Sequence, residues 1–365
     1  MPNGPRRVLV LYSPIGGGHR RAAEAIGRQA ASAGFEVKVA DAYDHVPGFW
    51  ARLHVWAFLT VTAVLPILYG AVYDAEQGRR HSWFNRFRRF WDRVIAGRLV
   101  RFVNDFAPDV VVATHYYPAV VLGRERTRGR MAAPLFVCIT DFGAHDWWIE
   151  EGVDGYLVAS DAVRRQLLRR GVPAARIRVT GIPIFPEFGL VRSLQPAARG
   201  CKTVVLMSGG FGVGPMEKIL RSFAGRRGVR LEIVAGRNEP LREHLQDVVD
   251  VVGVDATVHG FVDDVPALLD RAHVVISKPG GLTTCEALAA GRPIIFAGTV
   301  PGQESRNLEA VLEAGAGVTV AEPEDAADRA MEILSDPAIL ARYAAASRKL
   351  GRPGAAREIV LALAA

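Results

Sequence analysis

The chain alternates short, almost wholly apolar runs with longer stretches of helical period. Arg7–Tyr12 (RVLVLY) is the first run; it stops at SPIGGGH, and the helical pattern RRAAEAIGRQAASAG follows. Phe35–Ala40 (FEVKVA) is the next run, closing at Asp41. Strand, glycine turn, helix and strand make one βαβ unit, which predicts a parallel sheet. Asp109–Thr114 (DVVVAT), Leu135–Thr140 (LFVCIT) and Gly155–Ala159 (GYLVA) are the apolar runs expected of strands covered on both faces. Asp161–Gly171 predicts a helix with Ser160 as its cap and a glycine stop.

The segment 182–200 (IPIFPEFGLVRSLQPAARG) is rich in proline, lacks a regular period and reads as a linker. The pattern then restarts. Thr203–Met207 (TVVLM) runs into SGGFGVGP, a second glycine turn, and a helix. Short strands are expected at Leu231–Ala235, Thr257–Gly260, His273–Ser277, Pro293–Phe296 and Gly317–Val320, with helices around 215–225, 240–248, 265–270, 282–290 and 304–314. The last helices fall near 324–349 and 354–364. The fold class expected is therefore α/β: two Rossmann-like parallel-sheet domains facing a cleft, with ligands at the carboxyl ends of the strands. The boundaries expected are 1–188, 189–350, and a terminal helix in 351–365 that packs back on the first domain.

Composition supports two packed cores. The chain has 365 residues, half of them apolar, and 23% charged, with mean hydropathy +0.14; a disordered chain is excluded. Cys138, Cys201 and Cys285 are far apart and form no CxxC, which argues against a disulfide framework or structural zinc. A reducing compartment fits. The start, MPNGPRRVLVLYS, lacks the apolar core of a signal peptide.

The net charge of +7 is uneven. Eight arginines lie between Arg79 and Arg101 against one acid, Asp92, so this window alone carries a net +7. Just before it, Leu53–Tyr73 contains no Asp, Glu, Lys or Arg. Its length would span a bilayer, but His54, Thr60, Thr62 and Pro66 interrupt it within a continuing α/β domain. A helix or hairpin lying in the interface is the better reading. In the segment that follows, Arg86, Arg88 and Arg89 alternate with Trp83, Phe84, Phe87, Phe90 and Trp91. Aromatic rings enter the interface, and each arginine near anionic headgroups contributes about 1 kcal/mol. No nucleic-acid fold signature accompanies the basic run, so anionic membrane lipid is the partner expected and nucleic acid is not.

Three glycine-rich turns carry the candidate chemistry. Gly16-Gly17-Gly18-His19 closes a strand and opens a helix, where backbone N–H groups face an anion and His19 has a pKa suited to a general base. The same residues also suit a plain tight turn. A nicotinamide site is a weak alternative, with Asp41 as its only acid. Ser208-Gly209-Gly210-Phe211-Gly212-Val213-Gly214 forms a second cradle. The third is Ser277-Lys278-Pro279-Gly280-Gly281-Leu282-Thr283-Thr284-Cys285-Glu286. Here a strand ends in a turn, Thr283 and Thr284 offer hydroxyls at a helix start, and Glu286 can accept from a ribose diol. VPGQESRN places Gln303, Glu304 and Asn307 at a loop–helix junction suited to reading sugar hydroxyls. His115, Asp141 and His145 stand at or just past strand ends, with Trp147 and Trp148 beside them. No DxD motif suggests a metal–diphosphate clamp, so no metal or other cofactor is expected.

The order GGGH…TDFGAHDWWIEEGVDGYLVAS…GIP…SGGFGVGP…GRN…GFVDD…SKPGGLTTCEALAAGRPIIF…VPGQESRN resembles the monogalactosyldiacylglycerol synthase and processive diacylglycerol glucosyltransferase group. This is the lipid branch of glycosyltransferase family 28, with the GT-B fold. The resemblance runs over about residues 7–345. It implies an inverting transfer of glucose or galactose from a UDP-hexose to diacylglycerol at the cytoplasmic face of the membrane, by a peripheral enzyme. It makes His19 the candidate base with Asp141 assisting. Donor residues would be Gly209, Gly210, Gly212, Arg237, Phe261, Val262, Lys278, Gly280, Gly281, Thr283, Glu286, Gln303, Glu304 and Asn307. The acceptor side would use Gly17, Gly18, His115, His145 and Trp148. Phe211 departs from the group, which more often has an acidic residue there. Other functions considered are N-acetylglucosamine transfer to a cell-wall lipid, a sugar epimerase, and a non-catalytic UDP- or lipid-binding protein.

Overall fold

A computed structural model describes residues 6–14, 17–49, 97–194, 200–209, 212, 214–298 and 304–364. The interfacial segment expected at 53–93, with Trp83–Trp91, lies outside the described residues. So do Gly16, Gly210, Phe211 and Gln303. The chain divides into two compact units. The first holds Met1–Ile184 and Gly354–Ala365; the second holds Phe185–Thr299 and Glu304–Pro353.

The first unit is a six-stranded parallel sheet in the order β2-β1-β3-β4-β5-β6. Its strands are β1 (Arg7–Tyr12), β2 (Glu36–Asp41), β3 (Val110–Ala113), β4 (Leu135–Cys138), β5 (Gly155–Val158) and β6 (Ile177–Val179). Every residue of β3 and β5 is buried, which is why these strands are continuous apolar runs. Between the strands run helices α1 (Gly17–Ser32), α2 (Gly97–Phe106), α3 (Tyr116–Thr127) and α4 (Asp161–Arg169). Ser160 caps α4 by accepting from Val163 N.

The second unit repeats the plan in the order β12-β11-β10-β7-β8-β9. Its strands are β7 (Lys202–Met207), β8 (Val229–Val234), β9 (Ala256–His259), β10 (Val274–Ser277), β11 (Ile294–Phe296) and β12 (Gly317–Thr319). Its helices are α5 (Met216–Ser222), α6 (Glu239–Val252), α7 (Val265–Arg271), α8 (Gly281–Ala289), α9 (Ser305–Glu313), α10 (Ala326–Ser335) and α11 (Pro337–Leu350). The chain's last helix, α12 (Ala355–Ala364), joins the first unit. Its Ile359, Ala362 and Leu363 share a core with Val8, Val10, Ala23 and Ile26, and Arg178 donates to the Ala362 carbonyl at 2.9 Å.

Three expectations need correction. The helix expected over 324–349 is two helices, because Pro337 has no N–H to continue α10; Asp336 restarts the chain by accepting from Ala338 N and Ile339 N. Strand β6 was not foreseen, since its centre is exposed Arg178. The linker expected at 182–200 contains a 3-10 turn, Pro186–Leu190, whose Phe188 is fully buried.

Candidate active site

The first cluster forms at the carboxyl ends of β1, β3 and β4. Just past β3 and β4 stand threonines that bond to His19. Thr114 follows β3 and is fully buried; its hydroxyl donates to the His19 carbonyl at 2.9 Å. The Thr114 carbonyl, in turn, lies 2.7 Å from His19 Nδ1. Thr140, two residues past β4, puts its hydroxyl oxygen 3.0 Å from the same nitrogen.

A carbonyl oxygen only accepts, so His19 Nδ1 carries the proton. Nε2 then keeps its lone pair. The His19 pKa is lowered from 6.5, chiefly by burial and against the opposing effects of the Asp141 charge and the Thr114 hydrogen bond. The imidazole is thus neutral near pH 7, in the tautomer of a general base.

Aromatic rings surround it. The His115 ring meets His19 edge-on at 4.7 Å, and Trp148 lies at 6.3 Å. Tyr116 sits 4.3 Å from His115 and 5.5 Å from Trp147. His115 also caps α3, where its Nδ1 accepts from Tyr117 N at 3.2 Å. His145 does the same for the turn Asp146–Trp148, accepting from Trp147 N at 3.2 Å. Asp141 is buried. Asp41 instead caps the turn Ala42–His45, and burial raises its pKa to about 6. Gly17 and Gly18 open α1, the helix that carries His19. Thr114, Thr140 and Tyr116 are the members that sequence reasoning missed. The available signal was a hydroxyl closing each of two apolar strands.

The second cluster lies at the carboxyl ends of β7, β8 and β10 in the second unit. Gly209 and Gly212 have φ of +69° and +62°. At Gly212 a Cβ would stand 2.6 Å from the Ala235 carbonyl oxygen, so only glycine fits this turn. The Arg237 guanidinium, after β8, stacks 4.3 Å from the Phe261 ring centroid. Phe261 is exposed and Val262 half-buried.

After β10, Gly280 N donates to the Lys278 carbonyl at 2.8 Å across Pro279. α8 then begins at Gly281 with no side-chain cap. Its first N–H groups and the positive end of the helix dipole suit an anion. Lys278 Nζ pairs with Glu304 Oε1 at 2.7 Å. Asn307 is fully buried and donates from Nδ2 to the Pro279 carbonyl at 2.9 Å. Thr283 remains half-buried, and Glu286 is buried one turn further in. Thr284 departs from its expected role. It is 1% exposed, and its hydroxyl is turned into the interior without a hydrogen-bond partner. Among the described residues no three His, Cys, Asp or Glu side chains group as a metal site. No described helix is long and apolar enough to cross a membrane.

Twin parallel α/β units with their polar residues gathered at strand carboxyl ends are the GT-B architecture. Residues 19–184 match the family model for monogalactosyldiacylglycerol (MGDG) synthase, and residues 216–336 match that for glycosyl transferases group 1. The chain is similar to the MGDG synthases and processive diacylglycerol glucosyltransferases, and it is a glycosyltransferase. It is 29% identical to the processive diacylglycerol beta-glucosyltransferase of Bacillus subtilis (strain 168), over 93% of this chain and 90% of that one. With the enzyme of the same name from Bacillus pumilus (strain SAFR-032), identity is 27% over 92% and 88%. The fold is similar to that of Acinetobacter baumannii MurG, with TM-score 0.66, 16% identity and 99% of both chains covered. It is also similar to S. aureus MnaA in its UDP co-structure, with TM-score 0.64, 14% identity, and 97% of this chain and 95% of that one covered.

Proposed function

We propose that the protein transfers a hexose, glucose or galactose, from a UDP-hexose to diacylglycerol, with inversion at the anomeric carbon. The observation that carries this reading is the His19 imidazole, fixed as its Nδ1–H tautomer by Thr114 and Thr140. The relatives' names supply the acceptor class.

In this mechanism the acceptor hydroxyl attacks the anomeric carbon while His19 Nε2 takes its proton. The Asp141 charge favours the imidazolium that forms. UDP departs with the electron pair of the broken bond. Charge then grows on its diphosphate, where the uncapped N-terminus of α8 and Lys278 stabilise it. Gly209, Gly210, Gly212, Gly280, Gly281 and Thr283 line the nucleotide's path. Arg237, Phe261 and Val262 hold the base, Glu286 holds the ribose, and Gln303, Glu304 and Asn307 address the sugar. This step assigns no role to a metal. The Arg- and aromatic-rich segment Trp83–Trp91 rests on anionic lipid at the cytoplasmic face, which makes the enzyme peripheral.

A radiolabelled donor panel tests this. UDP-glucose, UDP-galactose and UDP-GlcNAc are each offered with diacylglycerol or with a muropeptide lipid, in vesicles containing anionic lipid, and products are separated by chromatography. Hexosyl-diacylglycerol is expected. Transfer only from UDP-GlcNAc to a muropeptide lipid, or UDP binding without turnover, would overturn the reading.

A further inference from the structure

In the Lys278–Glu304 pair two opposite charges neutralise each other beside a helix N-terminus. Both partners are held from behind. Lys278 opens a turn closed by Gly280 N on its own carbonyl, and the next carbonyl, of Pro279, accepts from buried Asn307. Glu304 precedes α9, and its carbonyl accepts from Asn307 N and Leu308 N, each at 3.1 Å. The backbone therefore fixes where the two side chains meet. The Lys278 side chain keeps 25% of its surface exposed and Glu304 keeps 11%.

An ammonium has three N–H donors, and the bond to Glu304 uses one. A diphosphate arriving at the α8 N-terminus would meet a nearby carboxylate of its own sign, and Lys278 is the group that cancels that charge. We propose that Lys278 is a positioning residue shared between the two ligand parts. It neutralises Glu304 so that a nucleoside diphosphate can enter. It then divides its donors between phosphate and carboxylate, which leaves Glu304 aimed at a sugar hydroxyl. The proposal rests on the donor-site reading above and adds that occupancy of the phosphate site and recognition of the sugar are coupled through one cation.

Titration calorimetry on the full chain with UDP and with UDP-glucose tests it. Lys278→Met removes the cation that faces a partly buried carboxylate, so UDP affinity is expected to fall about tenfold or more. Glu304→Gln alone keeps UDP affinity but removes the added affinity of UDP-glucose over UDP. Relative to Glu304→Gln, the double variant loses less UDP affinity than Lys278→Met loses relative to wild type, since the repelling charge is gone and only the Lys278–phosphate contact is lost; such non-additivity is the mark of a coupled pair. Lys278→Arg, which keeps the charge, retains UDP binding, and circular dichroism confirms that each variant is folded. Lys278→Met with unchanged UDP affinity would overturn the proposal, as would losses that simply multiply in the double variant. If wild type itself fails to bind UDP, the proposed function falls and this coupling with it. If wild type binds and the losses multiply, only the coupling falls.

Discussion

The two clusters occupy equivalent places, at strand carboxyl ends of like sheets, yet they are held in different ways. His19 is fixed by neutral hydrogen bonds to a backbone carbonyl and a threonine hydroxyl. Those partners lie on buried strand ends, and a ligand gives them no reason to change. The Lys278 turn is fixed by an ion pair and by the buried amide of Asn307, and its helix end is left without a cap. Charge there is free to be redistributed. A base must hold one tautomer before the reaction, whereas a diphosphate site must accept and release a multiply charged ligand. Each kind of support suits the task proposed for it.

The largest expected effect separates the two clusters outright. His19→Ala should lower kcat by about 10²- to 10⁴-fold, the usual contribution of a general base, while UDP affinity measured by calorimetry stays near wild type. A matching loss of UDP affinity would break the division of labour.

Gly212→Ala should do the reverse. Its φ of +62° and the Ala235 carbonyl 2.6 Å from the added Cβ predict about 1–3 kcal/mol of strain. Thermal unfolding should show the loss, with weaker UDP binding and a kcat at saturating donor that changes less than KM.

Asp141→Asn sharpens the electrostatic side. The Asp141 charge raises the His19 pKa against the larger lowering by burial. Removing that charge lets the pKa fall further. The acid limb of kcat/KM, already expected below pH 6.5, should therefore move to lower pH while the plateau rate drops. An unmoved limb would detach Asp141 from the base.

Arg237→Ala should be the mildest. An exposed cation–π contact is worth about 0.5–1 kcal/mol, so UDP affinity should weaken about two- to fivefold, with His19-dependent chemistry intact.

Most strands were legible because a parallel strand covered on both faces must be an apolar run, as Val110–Ala113 and the Val204–Met207 part of β7 are. β6 was not, because an edge strand with Arg178 at its centre has no such pattern. α3 opens with His115-Tyr116-Tyr117-Pro118, which hides a helix start behind aromatics; the cap is a ring nitrogen instead of a hydroxyl. Glycines and charged residues of both clusters stood out in the sequence because tight turns and anion cradles need those residue types. Thr114 and Thr140 did not, since a threonine closing a strand looks like any β-branched residue. Only the fold brings them to one imidazole nitrogen, from positions 95 and 121 residues away.

The docking of α12 against β1 and α1 gives the first unit a discontinuous sequence. During synthesis its sheet must wait for more than 150 intervening residues before its last wall is delivered. Deleting α12 would therefore uncover the hydrophobic flank of the half that carries His19, even though the deleted stretch is remote from that half in sequence.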